Sequence, residues 1–186
     1  MRGTVDNDLV ERAKRKDKEA FTALVHRFGD RLYAVAYRIL RDSARAEDAV
    51  QQTFLIAWRE LPSLRDPQRL EAWLFTLLVN ACRAEIRSVG RWQRGLRVVT
   101  DYDPHVDDMQ RTFAQRDELE RAFRELPLEQ RAVIVLHHYM GLSGDEIGRI
   151  LDLPAGTVRS RLHYARQQMR ATIEADSRPV AGEGMA

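Results

Sequence analysis

Residues 141–170, GLSGDEIGRILDLPAGTVRSRLHYARQQMR, carry two helical periodicities separated by a break, and their order decides the fold of the C-terminal part. Ser143 stands where a helix N-cap is needed, with Glu146 three residues on, and Ile147, Ile150 and Leu151 supply one apolar face. Leu153, Pro154, Ala155 and Gly156 break that pattern. A second helix is expected from about Thr157, with its stripe of Val158, Leu162, Ala165, Met169 and Ile173 turned toward the first. Two short helices across a tight turn form the arrangement that lays its second helix in a DNA major groove.

At about 100° per residue, Ser160, His163, Tyr164 and Gln167 lie opposite the stripe, with Arg159 and Arg161 on its flanks. Hydroxyl, imidazole, phenol and amide groups suit base edges. Arg159, Arg161, Arg166 and Arg170 suit phosphates on either side of a groove. An ordinary solvated face would account for the same residues on a lone helix; the preceding helix and turn favour DNA.

With 30 Lys and Arg against 28 Asp and Glu, the 186-residue chain has no strong global field, so any nucleic-acid surface must come from local clustering. Arg83, Arg87, Arg91, Arg94 and Arg97 form such a run, and Asp101, Asp103, Asp107 and Asp108 form an acidic stretch after it. The single cysteine, Cys82, rules out an internal disulfide and falls beside an apolar stripe, as a buried structural thiol would. There is no apolar signal segment and no run near the roughly 20 apolar residues of a membrane span. A reducing, cytoplasmic setting without direct membrane insertion is expected.

Strand signals are weak, and the chain reads as all-α: two small helical domains joined by a flexible linker. In the first, Phe21, Leu24, Val25, Phe28, Leu32, Val35, Ala36, Ile39 and Leu40 mark one helix. Ala46, Ala49, Val50, Thr53, Phe54, Ala57, Trp58 and Leu61 mark a second, opening near Ser43. Opposite its stripe lie Asp48, Gln52, Leu55 and Arg59; a leucine inside a polar face is either ordinary surface or a docking site for another protein. After Pro62 and the loop 63–69, Leu70, Trp73, Leu74, Leu77, Leu78, Ala81 and Ile86 define a third helix, which makes Trp73 a packing residue. A bundle ending in a basic helix beside a polar loop can grip a nucleic-acid backbone and offer the loop to an unstacked base.

These patterns divide the chain into a domain at 8–90, a linker at 91–116 around Pro104, a second domain at 117–175 and a disordered tail at 176–186. The second domain should hold four helices, with Leu119, Ala122, Phe123 and Leu126 on the first and Ala132, Ile134, Val135 and Leu136 on the next. His137 and His138 are adjacent, about 100° apart on a helix and without a nearby cysteine, so no metal site is expected.

The segments RAEDAVQQTFLIAWRELPSLRDPQRLEAWLFTLLVNACRAEIR and LPLEQRAVIVLHHYMGLSGDEIGRILDLPAGTVRSRLHYAR resemble regions 2 and 4 of the extracytoplasmic-function sigma factors. The resemblance implies that Asp48, Gln51, Gln52 and Leu55, with Arg59 on the same face, dock on the clamp helices of the largest subunit of bacterial RNA polymerase core, whose beta flap is a further partner. It implies that Leu64, Arg65, Asp66, Pro67 and Arg69, with Asn80, Arg83 and Arg87, recognise and open the minus-10 promoter element, the loop capturing a flipped base without nucleotide hydrolysis. Arg159, Ser160, Arg161, His163 and Tyr164 match the helix that reads the minus-35 element, and Thr157, Arg166 and Gln167 belong to the same surface.

Two positions depart from the family's habit: Tyr164 stands where a basic residue is common, and Asp152 where glycine is common. The resemblance also implies an anti-sigma factor as partner and a linker threading toward the polymerase active-site cleft, where its aspartates would mimic phosphates. Alternatives from other classes are a stand-alone helix-turn-helix transcriptional regulator, which would not need the exposed Asp48 and Leu55, and an enzyme. Against the latter, the sequence offers no phosphate-cradling glycine loop, paired nucleophile or metal cluster, so neither catalytic residues nor a cofactor are expected.

Overall fold

The computed structural model describes residues 7–92 and 110–176, and every regular element among them is helical. The N-terminal unit comprises α1 (Asn7–Lys14), α2 (Lys18–Leu40), α3 (Ser43–Glu60), two single 3₁₀ turns at Leu61–Ser63 and Pro67–Arg69, and α4 (Leu70–Trp92). The C-terminal unit comprises α5 (Gln110–Glu125), α6 (Leu128–Ile134), which continues into a π-helical turn at Val135–Tyr139, then α7 (Gly144–Leu151) and α8 (Ala155–Asp176).

Capping sets the N-terminal helices. Asp17 accepts hydrogen bonds from the Glu19 and Ala20 backbone N–H groups at the head of α2, and Asp42 accepts from Arg45 at the head of α3. Between them Arg41, at φ 59°, ends α2 with its N–H on the Tyr37 carbonyl. Leu24, Phe28, Leu32, Val35, Ala36, Ile39 and Leu40 are buried as the α2 stripe predicts, and Ala46, Ala49, Thr53 and Ala57 bury the inner face of α3. The Thr53 hydroxyl satisfies itself on the Ala49 carbonyl. Helix α1, too short to announce itself by period, adds Val10 and Ala13 to this core.

On α4 the burial is wider than the expected stripe. Leu70, Leu74, Leu78, Ala81 and the Cys82 thiol are buried as predicted, but so are Phe75 and Val79, while Trp73, Leu77 and Ile86 stay half-buried. The reason is tertiary: α2 and α3 pack on α4, and α7 of the C-terminal unit packs on it too. Phe75 lines, with Leu142 and Ile150, a cleft of about 230 Å³ between the units. Most of the buried residues therefore form one continuous cluster that runs from Val10 to Leu162 and includes both units.

Helix α4 runs on to Trp92 and α5 begins at Gln110, so regular structure enters the expected linker from both sides. Arg94, Arg97, Pro104, the aspartates of the acidic stretch and the tail beyond Asp176 lie outside the described residues.

Candidate nucleic-acid and protein interface

The head of α7 is capped by reciprocal bonds. The Ser143 hydroxyl accepts from the Glu146 N–H at 3.3 Å, and the Glu146 carboxylate accepts from the Ser143 N–H at 2.8 Å, which makes a complete capping box. At the other end Asp152, at φ 54°, closes α7 with its N–H on the Gly148 carbonyl. A Cβ on Gly148 would stand 2.6 Å from the Leu153 carbonyl oxygen, so only glycine lets the turn come this close. Helix α8 starts at Ala155, earlier than expected: the Pro154 carbonyl accepts from Thr157 and Val158, and Ala155 and Gly156 form the first turn rather than part of the break.

Val158, Leu162 and Ala165 are buried, with α8 packed against α5, α6 and α7. Arg159, Ser160, His163, Tyr164, Arg166 and Gln167 are exposed on the outer side, and Thr157 and Arg161 are half-buried. The Ser160 hydroxyl donates to the Thr157 carbonyl, and the Tyr164 ring meets the His163 ring edge-on at 5.7 Å. Arg166 lies 3.2 Å from His138 Nε2. Burial, then the neighbouring His137 and Arg166, push the His138 imidazole below its ordinary value, which leaves that nitrogen able to accept. The two histidine rings are 4.8 Å apart across the π-helical turn, and His137 Nδ1 donates to the Leu142 carbonyl. Among the described residues no three His, Cys, Asp or Glu side chains gather as a metal site would need.

On α3, Asp48, Gln51, Gln52, Leu55 and Arg59 are all exposed. Leu55 is 61 % exposed, in contrast to the buried Ala49, Thr53 and Ala57 on the same helix. In the loop before α4, Asp66 accepts from the Gln68 N–H at 3.0 Å and Pro67 occupies the first position of the turn, which fixes a short, shaped segment. Arg65, Asp66 and Arg69 are exposed, Pro67 is half-buried, and Leu64 packs against the core.

Further along α4, Asn80 and Arg87 are exposed and Arg83 is half-buried. Arg83 donates Nη1 to Asn80 Oδ1 at 2.9 Å, and donates Nε and Nη2 to the two oxygens of Glu129 at 2.8 and 2.9 Å. Arg161 Nη1 donates to the same carboxylate at 2.6 Å. Residues expected at two different DNA elements thus meet on one glutamate of α6. Arg83, then Arg161, hold the Glu129 carboxyl below the ordinary range against the opposing effect of burial. Nothing in the sequence signals this role, because an isolated glutamate in a helical first turn is ordinary.

The fold and these surfaces define a two-unit helical protein of the kind that meets both nucleic acid and a protein partner. Residues 24–92 match the family Sigma-70 region 2, and residues 116–169 match Sigma-70, region 4. The chain is 30 % identical over 181 residues to the ECF RNA polymerase sigma-E factor of Haemophilus influenzae, covering 91 % of this chain and 95 % of that protein. It is 35 % identical over 164 residues to the ECF RNA polymerase sigma factor SigE of Mycolicibacterium smegmatis, covering 85 % of this chain and 63 % of that protein. Among solved structures it is similar to the sigma factor RpoE in complex with the anti-sigma factor NepR from Bartonella quintana, at 26 % identity and a TM-score of 0.66, covering 84 % of this chain and 98 % of that chain. The chain belongs to the extracytoplasmic-function sigma factors of RNA polymerase, and its function is that of a transcription initiation factor.

Proposed function

We propose that this sigma factor acts in the cytoplasm as a binding subunit and not as an enzyme, bringing bacterial core RNA polymerase to promoters. Asp48, Gln51, Gln52, Leu55 and Arg59 on α3 dock on the clamp helices of the largest subunit, and the C-terminal unit meets the beta flap. The loop residues Leu64, Arg65, Asp66, Pro67 and Arg69, with Asn80, Arg83 and Arg87 on α4, hold the minus-10 element and capture an unstacked base. Opening is then driven by binding energy alone. Thr157, Arg159, Ser160, Arg161, His163, Tyr164, Arg166 and Gln167 on α8 read the minus-35 element in the major groove. The occurrence of RpoE in a complex with an anti-sigma factor supports an anti-sigma partner here as well.

One observation carries this reading. Leu55 and Tyr164, at 61 % and 59 %, are the most exposed large hydrophobic side chains among the described residues, one on the outer face of α3 and the other on that of α8. Each sits among polar neighbours, so its burial awaits a partner that brings both apolar and polar complementarity. Run-off transcription from a genomic promoter library with core polymerase tests it. Transcripts are expected only with the intact protein, and the Asp48→Arg, Leu55→Glu double variant should lower them at least about tenfold. Binding to DNA without core polymerase and no new transcripts would replace this reading with that of a stand-alone regulator.

A further inference from the structure

Glu129 belongs to neither DNA-facing surface, yet its carboxylate takes a guanidinium from each: Arg83 of α4 through both oxygens and Arg161 of α8 through one. A forked guanidinium presents the same donors to a carboxylate and to a phosphate. Arg83 commits Nε and Nη2 to Glu129 and Nη1 to Asn80, so a backbone phosphate that takes its fork must take the place of Glu129, and one that takes Arg161 Nη1 competes for the same donor.

The rest of the contact between the two units has the character of a surface made to part. Arg41, just past α2, pairs with Glu120 of α5, and the Arg38 guanidinium lies 3.8 Å over the Tyr139 ring. Arg131 of α6 is half-buried with its Nε lacking a hydrogen-bond partner, close enough to Arg41 for the two cations to repel. Burying cations this way opposes closure, because desolvation of an imperfectly paired charge is expensive. Apolar contact around Phe75, Leu142 and Ile150 and the three-way bridge at Glu129 favour it.

We infer that Glu129 is an intramolecular latch that stands in for promoter phosphate, holding α8 to α4 in the free chain and covering Arg83 and Arg161 until nucleic acid displaces it. The latch rests on the proposed roles of those two arginines in DNA binding. Since the carboxylate is held ionised by its partners, the control variable is charge screening, and the closed arrangement weakens as salt rises.

The test compares the full-length wild type with Glu129→Gln and with Glu174→Gln, which removes an equal charge from the exposed end of α8. Small-angle scattering in low salt should give a larger radius of gyration for Glu129→Gln than for the other two proteins. Wild type should expand toward the same value in about 0.5 M NaCl, where the screening length is a few ångström. Without core polymerase, a fluorescein-labelled random 30-base-pair duplex should bind Glu129→Gln about fivefold more tightly than either comparison protein, the scale of a lost charge-assisted contact. Equal radii and equal affinities for Glu129→Gln and Glu174→Gln would overturn the latch. A wild-type radius unmoved by salt would overturn it too, and that measurement needs no variant to fold. Run-off transcription separates the two proposals: if no protein of the set yields transcripts with core polymerase, the proposed function falls, while the scattering still decides the latch.

Discussion

Gly148 and Asp152 show how much of a turn is written in single residues. Gly148 has no room for a side chain because a backbone carbonyl fills the space, and a carbonyl cannot rotate away as a side chain does. Gly148→Ala should therefore cost about 2 kcal/mol, read as a lower urea midpoint. Asp152 holds a left-handed conformation at φ 54°, which glycine adopts without a Cβ penalty. Asp152→Gly should raise stability by about 0.5 kcal/mol, since it removes both the Cβ strain and a negative charge from the carboxyl end of α7. Cys82 gives a pH test. Burial, with Glu85 second, pushes its thiol up to about 12 from 9.0. Folding keeps the thiol neutral while the unfolded chain loses its proton above pH 9, so this stability is present below that pH and is lost as pH rises toward 12. The stability gap between wild type and Cys82→Ala should narrow by about 1.4 kcal/mol between pH 8 and pH 10. A constant gap would mean that the thiolate is accommodated in the fold.

Elements were legible where one face alone is buried. The stripes of α2 and α3 and the α7 capping box follow from period and capping chemistry, and the structure has them where that chemistry requires. Helix α4 was legible on one side only: Phe75 is as apolar as its neighbours, but it lies in the cleft against α7, which is far along the chain. The π-helical turn at Val135–Tyr139 left no mark in the period either, because one extra residue per turn does not disturb so short an apolar run. Helix α8 is the converse case, an outer face written plainly enough to predict from. Tyr164 is exposed and contributes little to packing, so Tyr164→Arg should leave the urea midpoint unchanged. It should shift the minus-35 sequences selected from a randomised template toward guanine at the facing position, and steepen the salt dependence of binding if the new side chain meets phosphate instead. Unchanged selection and unchanged salt slope would remove Tyr164 from the reading face.

At the scale of the molecule the two units were legible separately and their contact was not. Glu129, Arg131, Arg41 and Glu120 look like ordinary surface charges in the sequence; only the fold brings them into one interface. The two-unit architecture also separates the work of binding from that of opening. If α8 supplies duplex affinity and the loop at 64–69 with Arg87 supplies strand capture, the two functions should fail independently. Unstacking DNA costs about 1.4 kcal/mol per base-pair step, so a template already melted across the minus-10 element removes that cost before the protein arrives. Run-off transcription by the holoenzyme with Arg87→Ala should therefore be impaired on duplex promoters and recover most of the wild-type yield on the premelted template. The same holoenzyme with Arg159→Ala should stay impaired on both, because its lost phosphate or base contact lies in the upstream duplex, which the bubble does not alter. Equal rescue of both variants would mean that the helix-turn-helix unit contributes to opening itself, and equal failure would assign Arg87 to binding rather than to strand capture.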